Sequence, residues 1–105
     1  MAVSKLDQLN FAQQLLSLLT AGLPLLNAME LIRLSAPKYW QECLSNLCDQ
    51  LKQGESFSQA LQAERNRFSA EFINLIRVSE RTGNIELALQ TICQQLEAQI
   101  ELRRK

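Results

Sequence analysis

A carboxylate between two arginines is the group of side chains in this sequence that is best placed for chemistry. Glu80 follows Arg77 and precedes Arg81 near the end of a helix-like stretch. The negative end of a helix dipole disfavours a carboxylate there, so we expect Arg77, a backbone amide of the turn at 82–84, a cation or a partner to compensate it. Arg77, Glu80 and Arg81 are therefore candidate partner-binding residues. The alternative for Glu80 is a structural hydrogen bond that fixes the turn.

Two more arginines, Arg65 and Arg67, precede this segment. A cluster of this kind is able to contact an acidic partner, lipid headgroups or nucleic acid. Because Glu64, Glu71 and Glu80 are interspersed with the arginines, a solvated face of mixed charge is the competing interpretation.

The sequence contains no arrangement that is typical of catalysis. Histidine, the commonest general base near neutral pH, is absent. Cys43, Cys48 and Cys93 form no C-x-x-C pair, and we interpret them as reduced thiols of a cytosolic domain. We find no nucleophile and base pair, no set of metal ligands and no nucleotide motif. The sequence therefore predicts a protein that is not an enzyme and that holds no metal or cofactor.

Charge and length restrict the function further. The 105 residues contain 11 Lys and Arg and 11 Asp and Glu, so the net charge is zero. A neutral chain has no long-range field that attracts nucleic acid, and we expect no nucleic-acid partner. The length predicts one domain with one modest core.

Glycines separate the elements that position these side chains. Gly22, Gly54 and Gly83 each follow a helix-like stretch, and each precedes a residue that starts the next helix, such as Pro24 or Ser56. Glycine adopts the left-handed conformation that ends helices, while proline and serine favour first positions. We therefore predict structural turns at these five residues.

Apolar residues recur at three- and four-residue steps between the turns, which predicts helices. No charged residue occurs between Asp7 and Glu30, but polar residues alternate with leucines there, so we predict amphipathic helices and not a membrane span. The expected fold is all-α, a single antiparallel six-helix bundle. The predicted helices run from after residue 4 to about 21, from about 24 to before 37, over 38–52, over 56–64, over 70–81, and from 84 or 85 onward.

Three stretches resemble one known family. FAQQLLSLLTAGLPLLNA at 11–28 is similar to the opening signature of the type II secretion F and type IV pilus PilC family. LKQGESFSQAL at 51–61 and SERTGNI at 79–85 resemble two later segments of that family, in the same order and at the same spacing.

The resemblance implies a cytoplasmic six-helix domain of a polytopic inner-membrane platform protein. Its implied partners are the assembly ATPase, other platform proteins and further copies of itself. It also implies that residues 1–105 form a single domain that ends just before a transmembrane helix, with the cations Arg103, Arg104 and Lys105 as the cytoplasmic flank. Alternatively, these cations complement the dipole of the last helix.

A small DNA-binding or regulatory module is the alternative function, because helices four and five imitate a helix-turn-helix. Salt-dependent binding to duplex DNA would distinguish it. Our preferred hypothesis is a scaffold domain that transmits ATPase movement as a rigid body.

Overall fold

The computed structural model describes residues 4–104, and most of them belong to six helices. The helices are α1 (Lys5–Thr20), α2 (Leu25–Ser35), α3 (Lys38–Lys52), α4 (Phe57–Ala63), α5 (Ala70–Thr82) and α6 (Ile85–Arg104). This part of the chain contains no strand. The prediction of an all-α fold with six helices is confirmed.

Serines begin three of the helices by binding free backbone amides, which have no partner within the first helical turn. The Ser4 hydroxyl accepts from the amide of Asp7 at 3.1 Å, and the Ser69 hydroxyl accepts from the amide three residues later at 3.1 Å. At α4, the Ser56 hydroxyl accepts from the Gln59 amide at 3.2 Å, and the Gln59 side chain accepts from the Ser56 amide at 3.1 Å. This reciprocal pair is a capping box.

The predicted turn residues have the backbone conformations that end or begin helices. The φ angles of Gly22, Gly54 and Gly83 are 99°, 91° and 76°. A Cβ at any of them would meet no heavy atom within 4 Å, so the backbone conformation, and not lack of space, favours glycine. Pro24 and Ala36 both have an extended backbone: Pro24 directly precedes α2, and Ala36 directly follows it.

Each helix packs against the next helix in the chain, and α6 returns to pack against α1. This closed order is compatible with the predicted antiparallel arrangement. Apolar side chains from every helix meet inside, and one fully buried residue from each is Leu15, Met29, Leu44, Leu61, Ile76 and Leu89.

Four aromatic side chains form an aromatic cluster within this core: Phe11, Trp40, Phe68 and Phe72. Phe68 lies between α4 and α5, and its ring centroid is 5.5 Å from Phe11, 5.6 Å from Trp40 and 5.1 Å from Phe72. Trp40 also stacks on Phe11 at 5.8 Å. The cluster therefore joins α1, α3 and α5, and Trp40 is buried in it.

Most of the apolar residues that recur at helical spacing are buried. Leu51, Leu75 and Ile100 are only half-buried, because they lie at the rim of the core and pack against it from outside. The side chains of residues 103–105, the predicted cationic flank, lie outside the described part of the structure. Within residues 4–104, no helix combines the length and the hydropathy that a bilayer crossing requires.

Candidate functional site

The carboxylate of Glu80 binds the start of α4. Its Oε2 accepts from the Ser58 backbone amide at 2.9 Å, and its Oε1 accepts from the Ser58 hydroxyl at 2.5 Å. The amide of Ser58 lies in the first turn of α4 and has no partner within that helix. Glu80 therefore acts as a second cap of α4 and ties the end of α5 to it.

Ser58 was not among the groups that we expected to compensate Glu80. The two residues are 22 positions apart, so no local spacing links them. The turn amides at 82–84 and Arg77, which we expected, do not bind the carboxylate in the described structure. Arg77 instead donates to Asn74 Oδ1 at 2.8 Å and to Gln62 Oε1 at 3.4 Å.

Two arginines meet at Gln62. Arg77 reaches its side-chain oxygen, and Arg65 Nη1 donates to its backbone carbonyl at 3.4 Å. Arg81 lies one turn after Arg77 on the same helix and is exposed. Arg67, the fourth arginine, donates to the Tyr39 carbonyl at 3.2 Å.

We call the surface formed by Arg65, Arg77, Val78 and Arg81 the cationic face. Among the side chains of residues 4–102, the structure shows two ion pairs, and Glu30 forms both of them with Arg33 and Lys52. Neither ion pair includes an arginine of the cationic face. The amide oxygens that hold Arg77 and the carbonyl that holds Arg65 orient these guanidinium groups without neutralising their charge. Val78, which is 58% exposed, adds an apolar contact point three positions before Arg81 on α5.

A second surface, which we call the uncharged face, lies between α1 and α2. It is an open groove of about 410 Å³. The side chains that line it are Gln13, Gln14, Ser17, Leu18, Leu31, Ile32 and Ser35. Leu31 is 48% exposed, and Leu34, one turn along α2, is 70% exposed. The groove therefore combines protruding leucines with a rim of neutral polar groups.

The carboxylate of Glu30 links α2 to α3 beside the uncharged face. Arg33 Nη2 lies 2.7 Å from Glu30 Oε2, and Lys52 Nζ lies 3.0 Å from Glu30 Oε1. The hydrogen bonds from Arg33 and, next, from Lys52 lower the pKa of Glu30. The two cations correspondingly have raised pKa values.

The three thiols are buried and are not arranged for chemistry. Cys43, Cys48 and Cys93 form no disulfide. Removal from water raises the pKa of each thiol, which disfavours the reactive thiolate. In the part of the chain that the structure describes, no group of three or more side chains of the metal-binding types comes together.

Comparison with known proteins places this bundle in a family. The family model described as type II secretion system, protein F matches residues 11–105. The type IV pilus assembly protein PilC of Thermus thermophilus is 34% identical over 96 residues, which are 90% of this chain and 23% of that protein. The type 4 fimbrial assembly protein PilC of Pseudomonas putida is 33% identical over 102 residues, or 96% and 25%.

A relative from a secretion system is similar at the same level. The type II secretion system protein F of Xanthomonas campestris is 30% identical over 96 residues, which are 90% of this chain and 24% of that protein. The chain thus spans about a quarter of the length of each of these relatives. The match of residues 11–105 to the family model and these identities show that the chain belongs to the type II secretion system protein F family.

Proposed function

We propose that this chain is a non-enzymatic contact domain of an inner-membrane platform protein for type II secretion or type IV pilus assembly. The observation that carries the proposal is the family match over residues 11–105. Relatives named for pilus assembly and for secretion are both similar to it. Because the chain spans only a quarter of their length, the activity and partners of the whole protein are part of the proposal.

The proposed partners are the assembly ATPase, other platform proteins and further copies of the chain, at the cytoplasmic face of the inner membrane. The cationic face supports a role in binding because neutral amides orient Arg77 and because none of its arginines has a carboxylate partner among the described residues. Of the three residues predicted for partner contact, we retain Arg77 and Arg81. We assign Glu80 to fixing α4, since Ser58 occupies its carboxylate.

We propose that the domain transmits movement of the ATPase as a rigid body, with α6 as the connection toward the bilayer. The aromatic cluster supports rigidity because it joins side chains from α1, α3 and α5 in one packed group. Close-packed interiors deform little, so a displacement at one face moves the other.

Binding of the purified chain to the assembly ATPase of the same organism tests this function. The chain is immobilised, and the ATPase is titrated over it by biolayer interferometry. We expect saturable binding. Duplex DNA serves as the parallel analyte for the alternative DNA-binding module, and tight, salt-sensitive DNA binding without ATPase binding would replace our proposal with that module.

We also propose that the uncharged face mediates self-association. A symmetric dimer places the same patch of both copies together, so the patch has to complement itself. Glutamine and serine side chains both donate and accept hydrogen bonds, and a rim of Gln13, Gln14 and Ser17 is therefore able to pair with a copy of itself. The exposed Leu34 of one copy would enter the groove of the other.

Sedimentation equilibrium tests self-association. We expect a mass that rises with protein concentration and that changes little with added salt, because no charged side chain lines this groove. A monomer at all concentrations would contradict this part of the proposal.

A further inference from the structure

We propose that the cationic face binds an acidic segment of a partner protein, with Arg77 and Arg81 as the residues that determine recognition. This inference rests on the proposed function, because it assigns a surface and a chemistry to a domain that works by protein contact. It goes further by naming the partner group, which is a carboxylate-rich stretch of polypeptide.

The position of Arg77 favours a carboxylate ligand. Its guanidinium group donates from Nη1 to Asn74 at 2.8 Å and from Nη2 to Gln62 at 3.4 Å. Both acceptors are neutral amides, so the arginine keeps its full charge while its orientation is restricted. A restricted guanidinium loses less conformational entropy when it binds, and its planar donors match a carboxylate.

The contact of Glu80 with Ser58 leaves the arginines of α5 without the acid that is nearest to them in sequence. Glu80 lies three residues after Arg77, a spacing at which two side chains meet on a helix surface. Its two oxygens instead accept from the amide and the hydroxyl of Ser58. The capping contact therefore withdraws a competing internal ligand from the cationic face.

Other nearby acids do not replace Glu80 in the described structure. Glu71 lies in the first turn of α5, six residues before Arg77, which corresponds to a rise of about 9 Å along the helix. Glu64, which is half-buried, is adjacent to Arg65 in sequence, but no ion pair joins it to an arginine of this face. None of these acids forms an ion pair with the face, so its guanidinium donors are available to an external carboxylate.

Val78 makes a protein a better occupant than a phosphate surface. Its side chain is 58% exposed and lies three positions before Arg81, a spacing at which side chains meet on a helix, so the face pairs an aliphatic contact with a guanidinium group. Arginine beside exposed apolar area is typical of protein interfaces. Binding to anionic lipid headgroups usually needs a cluster of about four to eight basic residues, and this face offers three. The neutral chain likewise lacks the general basic charge of a nucleic-acid-binding domain.

A short oligoglutamate peptide is the probe for this inference. It is titrated into the isotopically labelled chain, and backbone amide shifts are followed by NMR at low salt. We expect the shifts to cluster at residues 62–67 and 74–82, and the binding to weaken as salt is added. Shifts that cluster on α1 and α2, or no shifts at peptide concentrations that bind other cationic proteins, would overturn the inference.

Two double variants distinguish binding at the cationic face from general attraction between the peptide and any positive charge. The double substitution Arg77→Gln with Arg81→Gln should weaken oligoglutamate binding by about tenfold or more, which corresponds to at least one lost charge-assisted contact. The matched control, Lys5→Gln with Lys38→Gln, removes the same charge from α1 and α3 and should change binding by less than about twofold. Equal losses in the two variants would overturn the inference. Circular dichroism and thermal melting verify that both variants are folded.

The same variants keep the failure of this inference distinct from the failure of the proposed function. If the wild-type chain and the arginine variant bind the assembly ATPase equally, the inference is wrong and the contact function stands. If the chain binds oligoglutamate through Arg77 and Arg81 but does not bind the ATPase, the inference about the cationic face is supported. The proposal that the ATPase is the partner is then wrong. Arginine-dependent binding to vesicles that contain phosphatidylserine, without binding to oligoglutamate, would assign the face to lipid and overturn the inference.

Discussion

The uncharged face between α1 and α2 and the cationic face on α5 differ in nearly every property that governs binding. The first is lined by neutral polar groups and leucines, and no charged residue occurs in the sequence between Asp7 and Glu30. The segment 64–81 contains four arginines and three glutamates. Although the net charge of the chain is zero, one of its surfaces is uncharged and another carries several arginines.

The contacts of the charged groups distinguish these two surfaces more than the number of charged groups does. Arg33 and Lys52 lie beside the uncharged face, but Glu30 pairs with both of them. Arg77 has a glutamate three residues away, yet that glutamate binds Ser58. The structure therefore pairs Arg33 and Lys52 with a carboxylate, whereas the arginines of the cationic face have no carboxylate partner among the described residues.

The largest effect on stability is expected from a substitution in the aromatic cluster, which supports both faces. Phe68→Ala removes the ring that contacts the other three members of the aromatic cluster, and it should lower the free energy of unfolding by about 3 to 5 kcal/mol. Urea unfolding followed by the fluorescence of Trp40 and by far-ultraviolet circular dichroism measures this loss. Phe68→Leu, which keeps more of the buried volume, should lose less.

The two probes should also report one shared transition, because the cluster joins the helices that carry the two faces. Separate transitions for the tryptophan signal and for helix content would show that the faces unfold independently. That result would contradict a rigid connection between them.

A smaller loss of stability is expected when the contact of Glu80 with Ser58 is removed. Glu80→Ala should cost about 1 to 2 kcal/mol of unfolding free energy, because the Ser58 amide and hydroxyl both lose their acceptor. A double-mutant cycle with Ser58→Ala measures the coupling between the two side chains. Additive losses would mean that the contact contributes nothing to stability.

Acid should weaken the ion pairs of Glu30 with Arg33 and Lys52, which lie beside the uncharged face. The pKa of Glu30 is lowered from its ordinary value of 4.5, so its stabilising contribution is fully present above that pH and is lost as the pH falls through the lowered value. The thermal stability of the wild type should therefore exceed that of Glu30→Gln at neutral pH. The difference should shrink below pH 4.5. A difference that is constant with pH would exclude an electrostatic origin.

The smallest effect on stability concerns the uncharged face. Leu34→Gln should change the free energy of unfolding by no more than about 0.5 kcal/mol, because this side chain is 70% exposed. It should nevertheless weaken self-association in sedimentation equilibrium. Val78→Gln, at a similarly exposed position on the cationic face, is the matched control and should leave self-association unchanged.

The sequence was sufficient for the features that depend on neighbouring residues. The helix bounds follow from caps such as Ser4 and Ser56 and from glycines such as Gly83, whose partners lie within three or four positions. The inward residues follow from the helical period. A single sequence carries these signals directly because each one acts within a helical turn.

Contacts between distant parts of the chain could not be predicted in the same way. The Ser69 amide donates to the Gln8 side chain 61 positions away, and Ser58 binds Glu80 across 22 positions. Such pairs depend on the packing of whole helices, for which spacing within the sequence carries no signal. The helix dipole predicts that Glu80 needs a partner, but no spacing in the sequence points to Ser58.

Hydrogen–deuterium exchange on the saturated complex of the chain with the assembly ATPase would show which face of the chain this partner covers. We predict that exchange slows in peptides covering 62–67 and 74–84 and stays unchanged in peptides covering 25–35. This pattern would place the partner on the cationic face and leave the uncharged face free for another copy of the chain. Slowing confined to 25–35 would contradict this account, because the partner would then occupy the uncharged face.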